Sequence, residues 1–466
     1  MPSPVSPPRD TLRVRKLCEV YLQNVDPIIK VLHRPTLTRW MIYDGSPYTG
    51  PSIGDNMQSA QTLECAVCYA AATTMTEAQC QTAFQKSKVE VSTIYRKMCE
   101  DAIERAGLLT TRDMTVLQAF VLYLVGRRSE DKGTAVWALV ALAVRLTSAM
   151  KLNHPPSDRE ETFFQQQMRL RLWLTVCLMD LQASLAESSE PLISYRDAAS
   201  AVPLVHNIND ADFDVDTVHT VDSSEELTDT TFALVTYRVQ VIGRLLNFPP
   251  SEPGVSGSVI TSPPLDPEGR RQLVRQFKQE VFGLLHYCDP ESSPYAWFTW
   301  HSTHCIVAAI RLSELLPFRC GPAGGQRQPL MQRRSQDVTE VLCRALQNLE
   351  KAQVIHSDPR SDGFRWYIAV PRLALSTAIA ECSTCADTAV VRWAWPIIET
   401  FFRQYEESVS SYKCSLSQVP LQRLMSEARE RLAPLLQGGV SLNEIQVATA
   451  TSHHALMSLD ADGSGD

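Results

Sequence analysis

The chain has 466 residues, of which 44% are hydrophobic and 21% charged, and its formal net charge is −8. This composition is ordinary for a folded globular protein with ample material for a core. The negative charge excludes a general attraction to nucleic acid, because binding to the phosphate backbone needs clustered Lys and Arg. The length alone suggests about three domains, although one large helical unit also fits it.

The sequence carries no signal for a membrane or for secretion. No apolar run approaches the ~20 residues of a spanning helix, and the longest, residues 135–144, ends at Arg145. The first ten residues, MPSPVSPPRD, lack the apolar core of a signal peptide. We therefore expect the chain on the cytosolic and nuclear side, without a membrane partner and with its 13 cysteines as thiols.

Apolar residues at helical spacing, broken by polar turns, predict an all-α fold in the form of a large multi-helix bundle. Residues 1–11, rich in Pro and Ser, are expected to be disordered. The first half of the helical body is expected over residues 12–248, with helices at 12–24, 62–76, 85–106, 113–126 and 228–248 and two central helices between them. No alternating pattern long enough to predict a strand appears.

The first central helix is the most apolar stretch of the chain. It carries apolar residues at helical spacing, and most positions between them are also apolar: Ala135, Leu139, Leu142, Leu146 and Ala149. We therefore expect this helix to be buried nearly all round, at the centre of the bundle.

The second central helix brings Arg169, Arg171 and Asp180 into apolar surroundings. Because a lone buried charge is very costly, we expect these groups to be paired or to reach solvent at the helix flank. With Arg145 and Trp173 they predict a network of ion pairs and hydrogen bonds that fixes the register of the two helices. The alternative, which we favour less, is that this network lines an effector pocket or couples it to a partner surface.

Six prolines with Gly and Ser in residues 249–267 predict an exposed connector. Beyond it we expect a C-terminal helical half of the same body, residues 268–436, interrupted by the loop 319–334. Its helices are predicted near 267–287, 294–316, 335–356, 388–410 and 418–435. Residues 437–466, small and polar with an acidic end, are predicted to be a disordered tail.

Several ordered motifs resemble the fungal-specific transcription factor domain, the regulatory middle region of fungal zinc-cluster activators. They include YLQNVDPIIKVLHRPTL near the start, MRLRLWL in the second central helix, and the loop from Pro203 to Asp210. The residues through which the resemblance is expressed are Tyr21, His33, Pro35, Trp137, Pro191, Pro203, Asn207 and Asp210. The family's Gly-Arg-Pro is replaced here by Ser189-Glu190-Pro191.

This resemblance implies a nuclear regulator of transcription that controls a gene set such as a secondary-metabolite biosynthetic cluster. The six-cysteine zinc cluster with which such activators contact DNA has no match in the sequence, so no cofactor is expected in this chain. Two explanations stay open. The chain reaches DNA through other transcription regulators, as a homodimer or as a heterodimer with a zinc-cluster protein, or an upstream segment carrying two zinc ions is missing from the coding sequence. A small-molecule effector in a cavity between helices is a further expectation.

Cysteine and histidine patterns offer weak alternatives. Cys65-x-x-Cys68 and Cys382-x-x-Cys385 lie in apolar helical settings and are predicted to be buried thiols. His301-x-x-His304-Cys305 places three possible metal ligands near one turn, but we favour ordinary packing there. We therefore expect no metal site.

Acidic residues alternate at Asp210, Asp212, Asp214 and Asp216, as at the start of a calcium loop. The comparison fails, because Val215 stands where the turn glycine belongs and no bidentate glutamate follows at the required spacing. The segment is expected to be a solvated, extended acidic loop.

Catalytic motifs are missing from the sequence: there is no nucleophile elbow, no phosphate-binding loop and no dinucleotide fingerprint. We therefore expect no catalytic residue and no enzymatic activity. A cytosolic all-α enzyme or metabolite-binding protein is the alternative class.

Overall fold

The computed structural model describes residues 11–43, 57–130, 134–155, 161–187, 189–248, 252–253, 259–260, 266–316, 335–368, 371–410 and 419–436. Residues 1–10 of the predicted disordered N-terminus, the predicted tail, the loop 319–334 and most of the Pro-rich connector lie outside the described residues, and Thr11 is the first residue of a helix rather than disordered. Within them, the α-helices are α1 Thr11–Asn24, α2 Arg34–Met41, α3 Met57–Thr74, α4 Glu77–Phe84, α5 Lys88–Arg105, α6 Met114–Glu130, α7 Thr134–Ala149, α8 Phe163–Glu187, α9 Tyr195–Ala201, α10 Thr231–Asn247, α11 Pro267–Gly283, α12 Pro294–Leu315, α13 Ser335–Ser357, α14 Arg372–Thr384, α15 Thr388–Ser410 and α16 Val419–Leu436.

Short elements join these helices. Single turns of 3-10 helix occur at Leu108–Thr110, Val202–Leu204, Asp210–Asp212 and Pro359–Ser361. Two strands of two residues each, β1 Glu252–Pro253 and β2 Val259–Ile260, pair antiparallel with Glu252 opposite Ile260. The prediction of an all-α fold is confirmed. In the part of the chain that the structure describes, no helix has the length and apolarity needed to cross a bilayer.

The chain divides into two compact units. The first comprises Met1–Pro263, Gln279–Thr299 and Arg360–Tyr367, and the second comprises Pro264–Lys278, Trp300–Pro359 and Ile368–Asp466. Two segments that follow the connector thus belong to the first unit. The expectation that residues 12–248 and 268–436 are two halves of one body stays a prediction.

Two helices of the first unit are buried around their whole circumference over a long stretch. Every residue of α6 from 114 to 126 is buried, and so is every residue of α8 from 167 to 181. Helix α6 packs against α3, α5 and α7, while α8 packs against α7, α9 and α10. Because each has neighbours on several sides, apolar residues recur around its whole circumference.

The expectation that α7 is buried nearly all round is wrong. Its buried residues, among them Val136, Val140 and Val144, lie on the side that faces α6 and α8. Ala135 and Ala149, which we placed on the buried stripe, are exposed. A helix made of small apolar residues reads the same in the sequence whether one or both faces are covered, since exposed alanine costs little.

Glycine allows a close approach of α3 and α6 in the first unit. A Cβ added to Gly126 in α6 would lie 2.5 Å from Cε1 of Tyr69 in α3. The Tyr69 ring has little freedom to withdraw, because its hydroxyl donates a hydrogen bond of 2.7 Å to Oε2 of Glu130. Only a residue without a side chain therefore fits at this crossing.

The second unit has its own apolar core. It is formed by residues of α12 to α16, including Leu346, Leu375, Ile379, Trp395, Ile398, Phe402 and Met425. Helix α14, which we did not predict, lies at its centre and packs against α13, α15 and α16. This unit therefore satisfies the usual requirement that a domain buries one continuous hydrophobic core.

Replacing Gly126 by Ala tests the α3–α6 crossing. The added methyl group overlaps the Tyr69 ring, so we expect the free energy of unfolding to fall by about 1–3 kcal/mol. Gly283→Ala is the matched control, because nothing lies within 4 Å of the added Cβ at that helical glycine. Urea denaturation followed by circular dichroism measures both variants; equal stability of the two would contradict the packing described.

Candidate functional site

The candidate site is a group of charged side chains enclosed in the first unit. We define the buried charge cluster as Asp26, Lys30, Arg34, Arg171 and Asp210. The side chains of all but Arg34 have 0% of their surface exposed, and that of Arg34 has 35%. Such a cluster survives burial only because every charge has an opposite charge beside it.

Asp210 is the centre of the buried charge cluster. Its Oδ2 lies 2.8 Å from Nζ of Lys30, and its Oδ1 lies 2.7 Å from Nη1 of Arg171. The backbone N–H of Arg34 donates to the same Oδ2 at 2.8 Å. One carboxylate thus joins its own loop to two parts of the chain that are distant in sequence, residues 30–34 and α8.

Asp26 completes the cluster from the other side. Lys30 Nζ lies 2.9 Å from its Oδ2, and Arg34 contacts that oxygen through Nε at 3.0 Å and Nη2 at 2.9 Å. Arg34 also donates to the carbonyl oxygen of Leu22 at 2.8 Å. Lys30 therefore bridges two carboxylates, and Arg34 fastens the start of α2 to the end of α1.

Local sequence explains how these residues meet. The chain leaves α1 in tight turns, in which the N–H groups of Val25 and Asp26 both donate to the carbonyl of Tyr21. Pro35 lies at one of the first positions of α2, where proline favours the start of a helix. Arg171 comes from the buried part of α8. Asp210 opens a 3-10 turn in which Asn209 and Asp212 cap each other reciprocally.

His33 adds a neutral contact between the same elements. Its Nε2 lies 2.8 Å from the carbonyl oxygen of Asp210 and 3.1 Å from that of Phe213, so this nitrogen carries the proton. Its Nδ1 then accepts from the Thr36 hydroxyl at 2.7 Å. Burial lowers the pKa of His33 below its ordinary value, which keeps the ring neutral.

The charges of the cluster fix its protonation states. Burial alone would raise the pKa of Asp210, but Lys30 and Arg171 outweigh it and hold the pKa well below the usual range. Burial likewise disfavours the charged form of Lys30, and Asp210 and Asp26 reverse that effect and raise its pKa. Asp210 and Lys30 therefore stay charged at neutral pH, which suits structural fixation better than proton transfer, whereas burial raises the pKa of Asp26.

The other charges of α8 anchor different segments. Arg169 donates to the carbonyl of Leu152 at 2.7 Å and to Oε2 of Glu161 at 2.8 Å, which holds the two ends of the α7–α8 connection. Asp180 accepts from Arg244 Nη2 at 2.9 Å and from the backbone N–H groups of Leu192 and Ile193 at 3.0 and 3.1 Å. Each charge thus secures one loop.

The structure brings together only some of the residues that the sequence singled out. Arg171, His33 and Asp210 meet in the cluster, and Asn207 holds the same loop through its side-chain amide, which donates to the carbonyls of Ser224 and Glu226. Arg145 is exposed on α7 and lies outside these contacts.

The remaining motif residues lie in separate surroundings. Tyr21 and Trp173 are buried, and Trp137 is exposed by 38% and donates to Oγ of Ser189 at 3.1 Å. Pro203 is exposed in the middle of a 3-10 turn. Pro191 is half-buried in the segment before α9. Their roles stay predictions.

Sequence reasoning missed Asp26, Lys30, Arg34 and Arg244. A signal for two of them was present, since Lys30 interrupts the apolar run IIKVL and Arg244 interrupts VIGRLL. A single cation in such a run must find a buried partner or leave the core. The same reasoning that singled out Arg171 would have found both.

The expectation of a solvated, extended acidic loop is wrong for Asp210, which has none of its surface exposed. The neighbouring acids are exposed but locally bonded rather than extended. Asp212 accepts from the N–H of Asn209 at 2.9 Å, and Asp214 accepts from the N–H of Asp216 at 3.0 Å. The net attraction of Lys30 and Arg171 outweighs the repulsion on which the expectation was based.

The described residues do not form a zinc site. Among the described residues no three His, Cys, Asp or Glu side chains are grouped so as to hold a metal ion. Burial raises the pKa of Cys65 to about 11 and that of Cys382 to about 12, whereas a metal binds the thiolate. In the second unit, the Cys305 thiol instead lies 3.9 Å from Oδ1 of Asn348.

Comparison with known proteins agrees with the motifs that meet in this site. Residues 18–236 match the family model described as the fungal specific transcription factor domain. This segment of the chain belongs to that family. It contains the second half of α1, helices α2 to α9, the buried charge cluster and the first turns of α10.

Similar proteins extend the match over nearly the whole chain. Transcription factor vrtR2 of Penicillium aethiopicum is 62% identical over 98% of this chain and 54% of its own length. The C6 finger domain transcription factors adaR of Aspergillus niger and nscR of Arthroderma otae are 49% and 47% identical, over 92% and 90% of this chain and 55% and 57% of theirs. The chain spans about half the length of these relatives. No solved structure matches.

Replacing Arg171 by Met tests the cluster directly. It removes the buried cation that pairs with Oδ1 of Asp210 and leaves Asp210 to share Lys30 with Asp26, so we expect a loss of about 3–5 kcal/mol in the free energy of unfolding. Arg145→Met, on the exposed side of α7, is the control and should change stability by less than about 0.5 kcal/mol. Denaturant titration compares the two; similar losses would show that the ion pairs contribute nothing specific.

The pH dependence of stability tests His33. Its pKa is lowered in the folded state, so the unfolded chain takes up the proton first and stability falls as the pH drops below about 6.5. In His33→Gln this part of the loss should vanish, which makes the fall in unfolding free energy from about pH 7.5 to about pH 5.5 smaller than in the unmodified chain. An unchanged slope would mean that His33 titrates normally.

Proposed function

We propose that this chain is the regulatory part of a fungal transcription regulator that acts in the nucleus on a gene set, such as a secondary-metabolite biosynthetic cluster. One observation carries the proposal: residues 18–236 match the fungal specific transcription factor domain, and relatives similar over most of the chain are named transcription factors. The motifs behind that match converge on Asp210, which supports a shared structural purpose.

The buried charge cluster favours regulation over catalysis. A catalytic group must reach its substrate, whereas Lys30, Arg171 and Asp210 are enclosed and paired with one another. In our proposal they hold α2, α8 and the loop 205–230 in one arrangement. The domain then presents a fixed surface to partners or to a small-molecule effector. The alternative of a cytosolic enzyme requires polar groups that open onto a cavity, which the cluster does not supply.

DNA contact is proposed to come from a zinc cluster that this sequence does not contain. Two of the relatives are named for a C6 finger domain, and the chain spans only about half of their length. The net charge of −8 also disfavours direct binding to a phosphate backbone. The zinc cluster belongs either to a longer form of this polypeptide or to a partner with which the chain dimerises.

Chromatin occupancy of the tagged chain tests this function. We expect the protein in the nucleus and at discrete promoters, with occupancy that disappears when the zinc-cluster segment or partner is removed. Arg171→Met should lower occupancy through loss of folded protein, and Arg145→Met should leave it unchanged. Transcript levels of the adjacent genes should follow occupancy.

Two results would contradict the proposal. One is tight, sequence-specific binding of promoter DNA by the purified 466-residue chain alone. The other is a protein that stays in the cytosol and turns over or saturably binds a metabolite. Sequencing of transcripts through the start site separates the two sources of the zinc cluster, because a longer product carries its six cysteines.

A further inference from the structure

A cleft of about 450 Å³ opens in the first unit beside the loop that carries Asp210. One wall is formed by Asn207, Ser224 and Glu225 from that loop. The opposite wall is formed by the end of α11 and the turn after it, with the residues Gly283, Leu284, His286 and Tyr287. This volume is in the range of small ligands or of one or two long side chains.

The shape of the cleft is built into the fold. Nothing lies within 4 Å of a Cβ added to Gly283, so the space above this glycine is open. The loop wall is held by Asn207, whose amide donates to the carbonyls of Ser224 and Glu226 at 2.8 and 2.9 Å and accepts from the hydroxyls of Thr228 and Thr231 at 2.8 and 2.9 Å. A preformed wall lowers the entropy cost of binding.

An aromatic ring stands at the edge of the cleft. Tyr287 is exposed by 59%, and its ring packs edge to face against His286 with 4.6 Å between centroids. This contact orients the phenol ring while most of it remains in solvent. A fixed, exposed aromatic face attracts cations through its quadrupole.

The two segments that line the cleft carry charged residues of one sign. Residues 207–230 and 283–299, which supply its lining, contain ten Asp and Glu and no Lys or Arg. Asp210 and Asp229 bond within the first unit, where the carboxylate of Asp229 accepts a hydrogen bond from the N–H of Asp210. The other eight acidic residues are exposed. Glu291 pairs with Arg360 at 2.7 Å. The resulting field repels phosphate groups and favours a cationic ligand.

We propose that this cleft binds an arginine or lysine side chain from a basic segment of a protein partner. The aliphatic stem packs on Leu284 and Tyr287, and the cationic group lies over the Tyr287 ring and pairs with the carboxylate of Glu225. The surrounding acids steer the basic segment toward the cleft. This inference goes beyond the proposed function, since it assigns a contact surface and the chemistry of what it binds.

Fluorescence anisotropy with the full chain and a short labelled peptide tests the proposal. The probe is a Gly-Ser peptide with a central Arg-Lys-Arg, and its comparison has the three basic residues replaced by Gln. We expect saturable binding of the first peptide only. Tyr287→Ala and Gly283→Trp, which remove the ring and fill the cleft, should each weaken binding about tenfold or more.

Charge-matched variants separate a site from general attraction. Glu225→Gln and Asp101→Asn each remove one exposed carboxylate, the second from α5. Glu225→Gln should weaken binding about fivefold, and Asp101→Asn by less than about twofold. Circular dichroism and thermal unfolding confirm that each variant is folded.

Several results would overturn the proposal: equal weakening by Glu225→Gln and Asp101→Asn, unchanged binding by Gly283→Trp in a folded protein, or binding of the Gln peptide. Competition by spermidine or arginine amide at the affinity of the peptide would also overturn it, because the occupant would then be a free cation. Loss of peptide binding leaves nuclear location and promoter occupancy untouched, so this test is independent of the proposed function.

Discussion

The first unit depends on a carboxylate that has no contact with water. Asp210 is stable as an anion there only while Lys30 and Arg171 remain beside it, and each of those cations would lose a buried counter-charge if Asp210 were removed. The three residues come from a loop, from the turn after α1 and from α8. The requirement for charge compensation therefore fixes how these three segments lie against one another.

The same principle recurs along α8. A helix buried over fifteen consecutive positions, residues 167–181, has no solvent-facing side on which to place charges. Each charged residue of this stretch instead meets a partner from another segment, as Arg169 meets Glu161 of the α7–α8 connection and Asp180 meets Arg244 of α10. Polar pairing thus gives specificity to loops that apolar packing alone would leave undetermined, which suits a domain that must present a defined surface.

The sequence predicted the helices better than the tertiary contacts between them. Helix α15 was predicted over the residues it occupies, because its apolar stripe and the flanking polar residues are local features. Short helices such as α4 were missed, although the Thr76-x-x-Gln79 capping box marks its start. Arg171 and Asp210 were singled out separately. Their pairing spans 39 residues and depends on tertiary approach, which spacing in one sequence does not encode.

The most direct test of this account is a double-mutant cycle between Lys30→Met and Asp210→Asn. If the buried charge cluster holds the loop to the turn after α1, the two changes remove one shared interaction. The loss of unfolding free energy in the double variant should then be smaller than the sum of the two single losses by about 1–3 kcal/mol. Losses that add within about 0.5 kcal/mol would show that the two groups act independently, and the cluster would not organise the fold.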